Sequence, residues 1–316
     1  MVGVAGFCGA VGKTPLILIP SLSELTGCEI YGKAEFLNPG GSIKDRAALW
    51  MVNAAIADGK LAPGGLVVEA TAGNTGVGLA HVCRAKGMRC IFVCPDHVSD
   101  EKVNHLKLLG AEDVLRVERL PASDPGNYQN VAKRLAKENN GVCLDQYNNL
   151  QNMLAHVEST GPEIWEQTEH KIDGLALASG TGGTIAGCSK YLKQKNEKIQ
   201  VYMANVISMS FKSAETAFTN RLTGSGIAMN GGTTEEREEL EKQKLSFSET
   251  LRERFEHEKS GVSTVMEGIG SSVLYGNLAH AIVDGIFECN DETGVQMCHY
   301  MLKYGTSLLR NYIVIV

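Results

Sequence analysis

The sequence contains no apolar run of about 18 residues, the length that a membrane-spanning helix needs, and its N-terminus, MVGVAGFCGAVGKTP, lacks the basic segment of a secretory signal. We therefore expect a cytoplasmic protein without a membrane segment. An excess of basic residues is also missing, because 30 Lys and Arg stand against 36 Asp and Glu, a formal net charge of -6. This balance predicts that neither nucleic acid nor an anionic membrane is a partner.

Features of a disulfide scaffold or a metal centre are a second absence. The nine cysteines are odd in number, scattered and mostly set in apolar runs, so we expect reduced, packed thiols. The closest pair, Cys90 and Cys94, belongs to a predicted strand, where a rise of ~3.3 Å per residue separates the two by roughly 13 Å. One tetrahedral metal ion cannot bridge that distance, and no metal site is predicted.

What the sequence does contain is the alternation of an α/β fold. Its 316 residues exceed what one compact core usually supports, so we expect two domains. From Leu66 to about Asn205, short β-branched runs such as LVVEA and DVLRV alternate with helical stretches. This rhythm predicts βα units that form mostly parallel sheets flanked by helices.

A first glycine-rich turn stands between a predicted strand and a predicted helix, in EATAGNTGVGLA from Glu69 to Ala80. Gly73 and Gly76 let a ligand approach the backbone closely, and Asn74 and Thr75 add polar groups beside the helix amides. Such a loop suits a carboxylate or a phenolic oxygen. A plain βα turn without a ligand is the alternative for this segment taken alone.

A second turn, ASGTGGTIAG from Ala178 to Gly187, follows the apolar strand IDGLAL and has the same order of features. Its glycines and hydroxyls precede a helix, where backbone amides and the helix dipole favour a single phosphate. The segment contains no lysine, so it is not a Walker loop, and it lacks the G-x-G-x-x-G spacing of dinucleotide sites. We predict a phosphate site that is not a nucleotide site.

A lysine completes the pattern. In NPGGSIKDRAALW, Lys44 follows two consecutive glycines and precedes a helical run, whereas its nearby rival Lys33 lies in EIYGKAEF, which is typical of a strand. A phosphate cradle, a second anion loop and a lysine in a turn together indicate pyridoxal phosphate, whose aldehyde needs an amine. We take Lys44 as that amine.

Several segments resemble the cysteine synthase (O-acetylserine sulfhydrylase) family and its cystathionine β-synthase relatives, the fold-type II pyridoxal phosphate enzymes. They stand in the family's order and are GKTPL, KAEFLNPGGSIKDRAA, EATAGNTGVGLA, GPEIWEQT, SGTGGTIAG and EGIG. The resemblance implies a two-domain α/β fold of the tryptophan synthase β-like type. It places a larger domain that binds the cofactor phosphate at 1–38 plus 149–316, and a smaller substrate-binding domain at 39–148.

The resemblance also implies individual roles. Lys44 should bond the cofactor aldehyde and act as general base, and Asn74 should hydrogen-bond the ring oxygen. The phosphate should be held by Gly180, Thr181, Gly182, Gly183 and Thr184. The substrate carboxylate should be bound by Thr71, Ala72, Gly73 and Thr75, with Gln146 as their partner. Alanine stands at position 72 where the family usually has serine, so we expect altered selectivity without loss of binding.

The activity that the resemblance implies is β-replacement, in which acetate leaves O-acetyl-L-serine and sulfide takes its place to give L-cysteine. Condensation of serine with another thiol, as in cystathionine β-synthase, is the alternative within the class. A non-catalytic, truncated relative that acts by binding a partner is the alternative outside it. The family likeness further implies a homodimer.

The sequence departs from the family in three places, and the departure at the C-terminus motivates the non-catalytic alternative. EGIG, from Glu267, continues as SSVLYGN where the family has a Gln-Gly-Arg-like stretch, and a charged segment at 233–260 predicts an exposed helical insertion or a partner surface. After HYMLKYG the family has a serine for the cofactor's pyridine nitrogen, for which Ser307 could stand in. The final NYIVIV is β-prone and apolar, which predicts an aggregation or dimer-edge segment.

Overall fold

The computed structural model describes residues 3–206, 269, 275–304 and 313–315, and they form two compact units. The first unit is built from the chain up to Pro15 and from Ala34–Thr160. The second is built from Leu16–Lys33 and from Gly161 onward. The assignment of the substrate to 39–148 and of the cofactor phosphate to the remainder stays a prediction.

The elements are numbered in chain order over the described residues. The strands are β1 (Leu16–Leu18), β2 (Tyr31–Ala34), β3 (Leu66–Ala70), β4 (Arg89–Pro95), β5 (Asp113–Val117), β6 (Val142–Cys143), β7 (Gly174–Ala178), β8 (Gln200–Val206), β9 (Gly285–Cys289) and β10 (Ile313–Ile315). The helices are α1 (Gly6–Ala10), α2 (Pro20–Thr26), α3 (Lys44–Ala57), α4 (Asn74–Ala85), α5 (Asp100–Leu108), α6 (Tyr128–Glu138), α7 (Leu150–Ala155), α8 (Gly161–Gln167), α9 (Gly183–Lys195) and α10 (Asp291–Tyr304). Short 3-10 turns lie at Glu35–Leu37 and Leu278–His280, and a π-helical turn lies at His156–Thr160.

The sheet of the first unit has four parallel strands in the order β5-β4-β3-β6. All five residues of β3 are buried, because alternate side chains enter two different cores. Val67 and Phe92 pack with α3 and α4, whereas Val68 and Val93 pack with α6. A near-continuous apolar strand is therefore a consequence of helices on both faces, as the sequence pattern predicts.

Close packing of α3 against α4 depends on a missing side chain. A Cβ built on Gly78 of α4 would lie 3.1 Å from the Lys44 carbonyl oxygen and 3.2 Å from the Ala48 Cβ. These distances are tighter than ordinary van der Waals contacts, so glycine lets the start of α3 approach α4. The approach sets the position of Lys44 within the first unit.

The sheet of the second unit has the order β1-β2-β10-β7-β8-β9. Strands β7, β8 and β9 run parallel, whereas β1 pairs antiparallel with β2 and β10 antiparallel with β7. Within NYIVIV, Ile313–Ile315 form β10. The prediction of an aggregation or dimer-edge segment is wrong for these residues, because β10 lies inside the sheet between β2 and β7.

The α/β class predicted from the sequence is confirmed: β3 and β5 coincide with LVVEA and DVLRV, and β7 overlaps the predicted apolar strand IDGLAL. All nine cysteines are free thiols, and Cys90 and Cys94 are buried on β4. Across the described ranges no group of three or more His, Cys, Asp or Glu side chains is arranged to hold a metal ion. None of the helices in those ranges combines the length and the apolar character needed to cross a membrane.

Candidate active site

Lys44 is the first residue of α3, and the two glycines before it are required by geometry. Gly41 has a φ of +85°, in the left-handed region that favours glycine. Gly40 has no room for a side chain, because an added Cβ would collide with the Asp45 carboxylate. The turn that presents Lys44 is therefore built around a carboxylate that the sequence pattern does not identify.

Asp45 holds this turn from inside. Its Oδ2 accepts the backbone N–H of Gly40 at 2.6 Å, and its side chain is buried. Burial raises the pKa of the Asp45 carboxyl to about 7. The short hydrogen bond from the Gly40 N–H to Asp45 fixes the turn that precedes Lys44.

A second buried contact anchors the first turn of α3. Arg46 donates from Nε to Glu35 Oε2 and from Nη2 to Glu35 Oε1, both at 2.8 Å, and Thr14 donates its hydroxyl to the same Oε1 at 2.6 Å. Both charged side chains are fully buried, so each depends on the other for its charge to be tolerated. The bidentate ion pair between Arg46 and Glu35 therefore holds the first turn of α3, where Lys44 lies.

The two lysines considered from the sequence have different surroundings. Lys33, on β2, is fully buried and its Nζ donates to Glu163 Oε2 at 2.6 Å, in an ion pair. Lys44 is half-buried, and burial lowers the pKa of its amine to about 8. An amine with that pKa is neutral in about a tenth of the molecules at pH 7 and in about half at pH 8, and the neutral form is the one that acts as nucleophile or base.

The first glycine-rich turn carries Thr71, Ala72 and Gly73 from the end of β3 into α4, which begins at Asn74. The Gly73 N–H donates to Thr71 Oγ1 at 3.2 Å, which closes the turn. No side chain caps the start of α4, and Gly73 itself is exposed. The first amides of an uncapped helix lack partners within the helix, so this loop can bind an anion.

The structure brings Gln146 together with this loop. Thr75, in the first turn of α4, donates its hydroxyl to Gln146 Oε1 at 2.6 Å, and Gln146 Nε2 donates to the Ala70 carbonyl at 3.2 Å. Both side chains are buried. The predicted partner of the carboxylate loop is therefore in contact with the helix start that the loop precedes.

The second glycine-rich turn lies in the second unit, between β7 and α9. Gly182 caps α9 with a φ of +82°, and a Cβ on it would lie 2.5 Å from the Leu278 Cα and Cβ atoms. Helix α9 also begins without a side-chain cap. Gly180, Thr181, Gly183 and Thr184 complete this turn, which leaves backbone amides at a helix start where a phosphate binds favourably.

Ser179 belongs to this turn, although the sequence reasoning did not include it. Its Oγ is buried and has no hydrogen-bond partner among the described residues. An unpaired buried hydroxyl is costly, and a phosphate oxygen bound at the turn would satisfy it. The signal that could have found it is a hydroxyl placed directly before the first glycine of the turn.

Each unit by itself has features that suit pyridoxal phosphate. The first has an amine with a lowered pKa, of the kind that bonds an aldehyde. The second has an uncapped helix start, a glycine at 182 with no room for a Cβ, and the Ser179 hydroxyl, which has no partner among the described residues. Ser307, the suggested partner of the pyridine nitrogen, lies outside the described residues, as do Glu267 and the charged segment 233–260.

These observations define an α/β protein of two units, with a lysine at the start of one helix and an uncapped glycine-rich turn at the start of another. The sequence model of the family described as pyridoxal-phosphate dependent enzymes matches residues 8–308. The chain belongs to this family, and its cofactor is pyridoxal phosphate.

Individual relatives and one solved structure are also similar to this chain. Cysteine synthase 1 of Neurospora crassa is 42% identical over 309 residues, which cover 95% of this chain and 71% of the relative. Cystathionine beta-synthase of Apis mellifera is 45% identical over 195 residues, 61% of this chain and 39% of the relative. The crystal structure of O-ureido-L-serine synthase matches with a TM-score of 0.73 at 23% identity, covering 96% of this chain and 81% of that one. This last likeness confirms the predicted fold.

Proposed function

We propose that the protein forms L-cysteine from O-acetyl-L-serine and sulfide, with pyridoxal phosphate as cofactor. The observation that carries this proposal is the Lys44 amine, which is set at the start of α3 with a pKa lowered to about 8. The similarity to Neurospora crassa cysteine synthase 1 over most of the chain supports the choice of substrates.

The cofactor would be held by residues of known position. Lys44 would bond its aldehyde, Asn74 would donate to its ring oxygen, and Ser179 would add a hydroxyl to the phosphate turn. The residues of that turn are Gly180, Thr181, Gly182, Gly183 and Thr184. When bound, pyridoxal phosphate supplies an aldehyde that bonds to amines and a ring that withdraws electrons from the attached carbon.

The substrate carboxylate would be bound by the first glycine-rich turn. Its amides and hydroxyls come from Thr71, Ala72, Gly73 and Thr75, with Gln146 held against Thr75. Position 72 contributes only its backbone, because alanine has no hydroxyl. The helix dipole and the uncapped amides of α4 provide the attraction to the carboxylate, so the missing hydroxyl tunes selectivity.

Lys44 also moves a proton. Once released, its neutral Nζ would accept the proton from the substrate Cα, and the lowered pKa makes the neutral form available near pH 8. The Asp45 and Arg46 contacts hold the start of α3, and so the Lys44 backbone, while the side chain changes partner.

A second candidate is the condensation of serine with another thiol. The similarity to Apis mellifera cystathionine beta-synthase favours it, because identity over the shared 195 residues reaches 45%. Lys44, the two glycine-rich turns and Ser179 argue against the non-catalytic alternative. We further propose a cytoplasmic homodimer in which residues 39–148 bind the substrate and 1–38 plus 149–316 bind the cofactor phosphate.

The test begins with the cofactor-loaded protein, whose visible absorbance should shift when O-acetyl-L-serine is added. Cysteine formed from O-acetyl-L-serine and sulfide is then compared with cystathionine formed from serine and homocysteine. Faster cystathionine formation would replace the first candidate by the second. A colourless protein that stays inert with added cofactor would support the non-catalytic alternative.

Lys44→Ala is the decisive variant. We expect activity to fall about 1,000-fold or more, because the variant lacks both the covalent anchor and the base. Borohydride reduction followed by peptide mapping should label Lys44 in the wild type and leave the variant unlabelled. Lys60→Ala is the matched control, since Lys60 is exposed and pairs with Asp58 at the surface. A label on another lysine of the wild type would contradict the assignment.

A further inference from the structure

Glu69 is a carboxylate in the first unit that the proposed function does not use. It lies on β3, two residues before Thr71, and its side chain is fully buried. Its Oε1 accepts the backbone N–H of Gln146 at 3.3 Å, whereas its Oε2 has no hydrogen-bond partner among the described residues. Burial of a carboxylate costs free energy, and this one lies beside Thr71 and Gln146, two predicted substrate-binding residues. We therefore expect Glu69 to have a functional role.

Gln146, the residue that Glu69 contacts, is fixed by hydrogen bonds of both its side chain and its backbone. The Gln146 side chain bonds Thr75 and the Ala70 carbonyl, and its own carbonyl accepts from Asn152 Nδ2 at 2.8 Å. The contact with Glu69 fixes the backbone N–H, so both ends of the residue are positioned. Any rotation of the backbone at 146 would move the side-chain amide away from Thr75.

The backbone before Gln146 needs such support. Asp145 has a φ of +52°, a left-handed conformation that costs a residue other than glycine roughly 1 kcal/mol, although Asp tolerates it better than most. Its carboxylate pairs with Lys133 at 2.9 Å, which holds the turn from the outside. Glu69 holds the same turn from the inside, through the next amide.

We propose that Glu69 is a positioning residue: by accepting the Gln146 amide it fixes the turn at Asp145 and Gln146 and keeps the Gln146 side chain on Thr75, where the substrate carboxylate binds. This inference rests on the proposed function, because it explains how the carboxylate site keeps its shape. Glu69 itself touches neither substrate nor cofactor, so its removal should change substrate affinity more than turnover.

The charge on Glu69 makes the role sensitive to pH. The pKa of the Glu69 carboxyl is raised to about 7, chiefly by burial; the Gln146 amide lowers it, the Asp145 carboxylate raises it, and the backbone amides of Ala70 and Asp145 lower it, and the value of about 7 is the balance of these effects. Among the described residues, Lys133 and Cys143 are further titratable groups that face Glu69. An ionised carboxylate accepts hydrogen bonds more strongly than a protonated one, so substrate affinity should fall as the pH drops through about 7.

Glu69→Gln tests this in the full-length, cofactor-loaded protein. Glutamine keeps one acceptor for the Gln146 amide and stays neutral at every pH, so it imitates the protonated wild type. We expect the KM for O-acetyl-L-serine to be about tenfold above the wild-type value at pH 8 and within about twofold of it at pH 6, with kcat changed less than twofold. Taking the ratio of variant to wild type removes the titration of the substrate's own amine.

Cys143→Ala is the matched control. Cys143 lies near Glu69 and its pKa is raised to about 12 by burial, so its removal changes no charge between pH 6 and 8. Its KM ratio should not depend on pH. Asp145→Asn is the second variant, which keeps a residue that tolerates a positive φ but removes the like charge. It should shift the midpoint of the pH dependence to lower pH.

The outcomes separate the two proposals. A wild-type protein whose absorbance does not respond to O-acetyl-L-serine would overturn the proposed function, and this inference with it. A normal wild-type response with a Glu69→Gln ratio that is the same at pH 6 and pH 8, or with the loss confined to kcat, would overturn the Glu69 inference alone. If Glu69→Gln fails to fold, an unmoved midpoint in Asp145→Asn would overturn the Glu69 inference in its place.

Discussion

The two glycine-rich turns have the same order of features in the sequence, but their glycines have different tasks. Gly73, in the first unit, has an extended conformation with φ -101°, and a Cβ built on it would meet no atom within 4 Å. Gly182, in the second unit, has φ +82°, and its Cβ would lie 2.5 Å from Leu278. The first glycine borders open space, where we propose that the substrate binds, whereas the second is required by the fold itself.

The hydroxyl groups of the two turns differ in a complementary way. Thr71 and Thr75 already make hydrogen bonds, to the Gly73 amide and to Gln146. Ser179 has a buried hydroxyl without a partner in the described part of the chain. The first turn is therefore shaped by its own contacts, whereas the second contains a polar atom that has no partner among the described residues and that a bound group would satisfy.

Gly182→Ala gives the largest effect expected from this comparison. The substitution places a Cβ against the backbone of Leu278 and requires alanine in a left-handed conformation, so we expect the second unit to lose about 3 kcal/mol of unfolding free energy. Cofactor binding should weaken as well, because we propose that the same turn holds the phosphate. Chemical denaturation of the cofactor-free protein, followed by absorbance titration with pyridoxal phosphate, measures both. Unchanged stability would show that the turn relaxes, and the contrast with Gly73 would disappear.

Ser179→Ala should have a smaller effect, which raises the stability of the cofactor-free protein but lowers its affinity for the cofactor. Removal of an unpaired buried hydroxyl should stabilise the cofactor-free protein by about 1 kcal/mol, whereas the loss of a phosphate contact should weaken cofactor binding several-fold. Thermal unfolding without cofactor and equilibrium titration with it are the two measurements.

Ser189→Ala is the matched control for Ser179, because both serines are buried in the second unit. Ser189 Oγ donates to the Ala186 carbonyl and accepts the Ile282 amide at 3.0 Å. Its removal should destabilise the cofactor-free protein, since it leaves the Ile282 amide without that acceptor. Equal destabilisation by the two variants would mean that Ser179 has a partner of its own.

Local patterns in the sequence predicted much of this architecture. The strands β3, β5 and β7 and the helices that follow the two turns depend on neighbours a few residues away. The choice of Lys44 over Lys33 rests on the same kind of local pattern and stays a prediction. The strand character of NYIVIV was likewise predictable from β-propensity. Its place between β2 and β7 was not, because strand order depends on partners far away in the chain.

The support beneath the site was not predictable for the same reason. Arg46 and Glu35 are 11 residues apart in different elements, and Glu69 meets the Gln146 amide across 77 residues. Helix periodicity predicts an apolar face, but no fixed spacing in the sequence predicts pairs of this kind. The collision between Asp45 and a Cβ on Gly40 likewise depends on a tight turn. The pair of glycines predicts the turn, but not that the Asp45 carboxylate lies inside it.

Gly73→Ala is the smallest change in stability and the sharpest test of the comparison. Alanine fits the extended conformation of residue 73 without a clash, and the small loss of helix-capping preference is offset by the reduced freedom of the unfolded chain, so unfolding should shift by less than about 0.5 kcal/mol. The new methyl group, however, enters the space where the substrate carboxylate would bind. We expect normal cofactor absorbance and a KM for O-acetyl-L-serine raised about tenfold or more, measured beside the unfolding curve of the same preparation. A variant with unchanged KM would show that the open space at Gly73 is not where the substrate binds, and the two turns would then differ only in how the fold uses glycine.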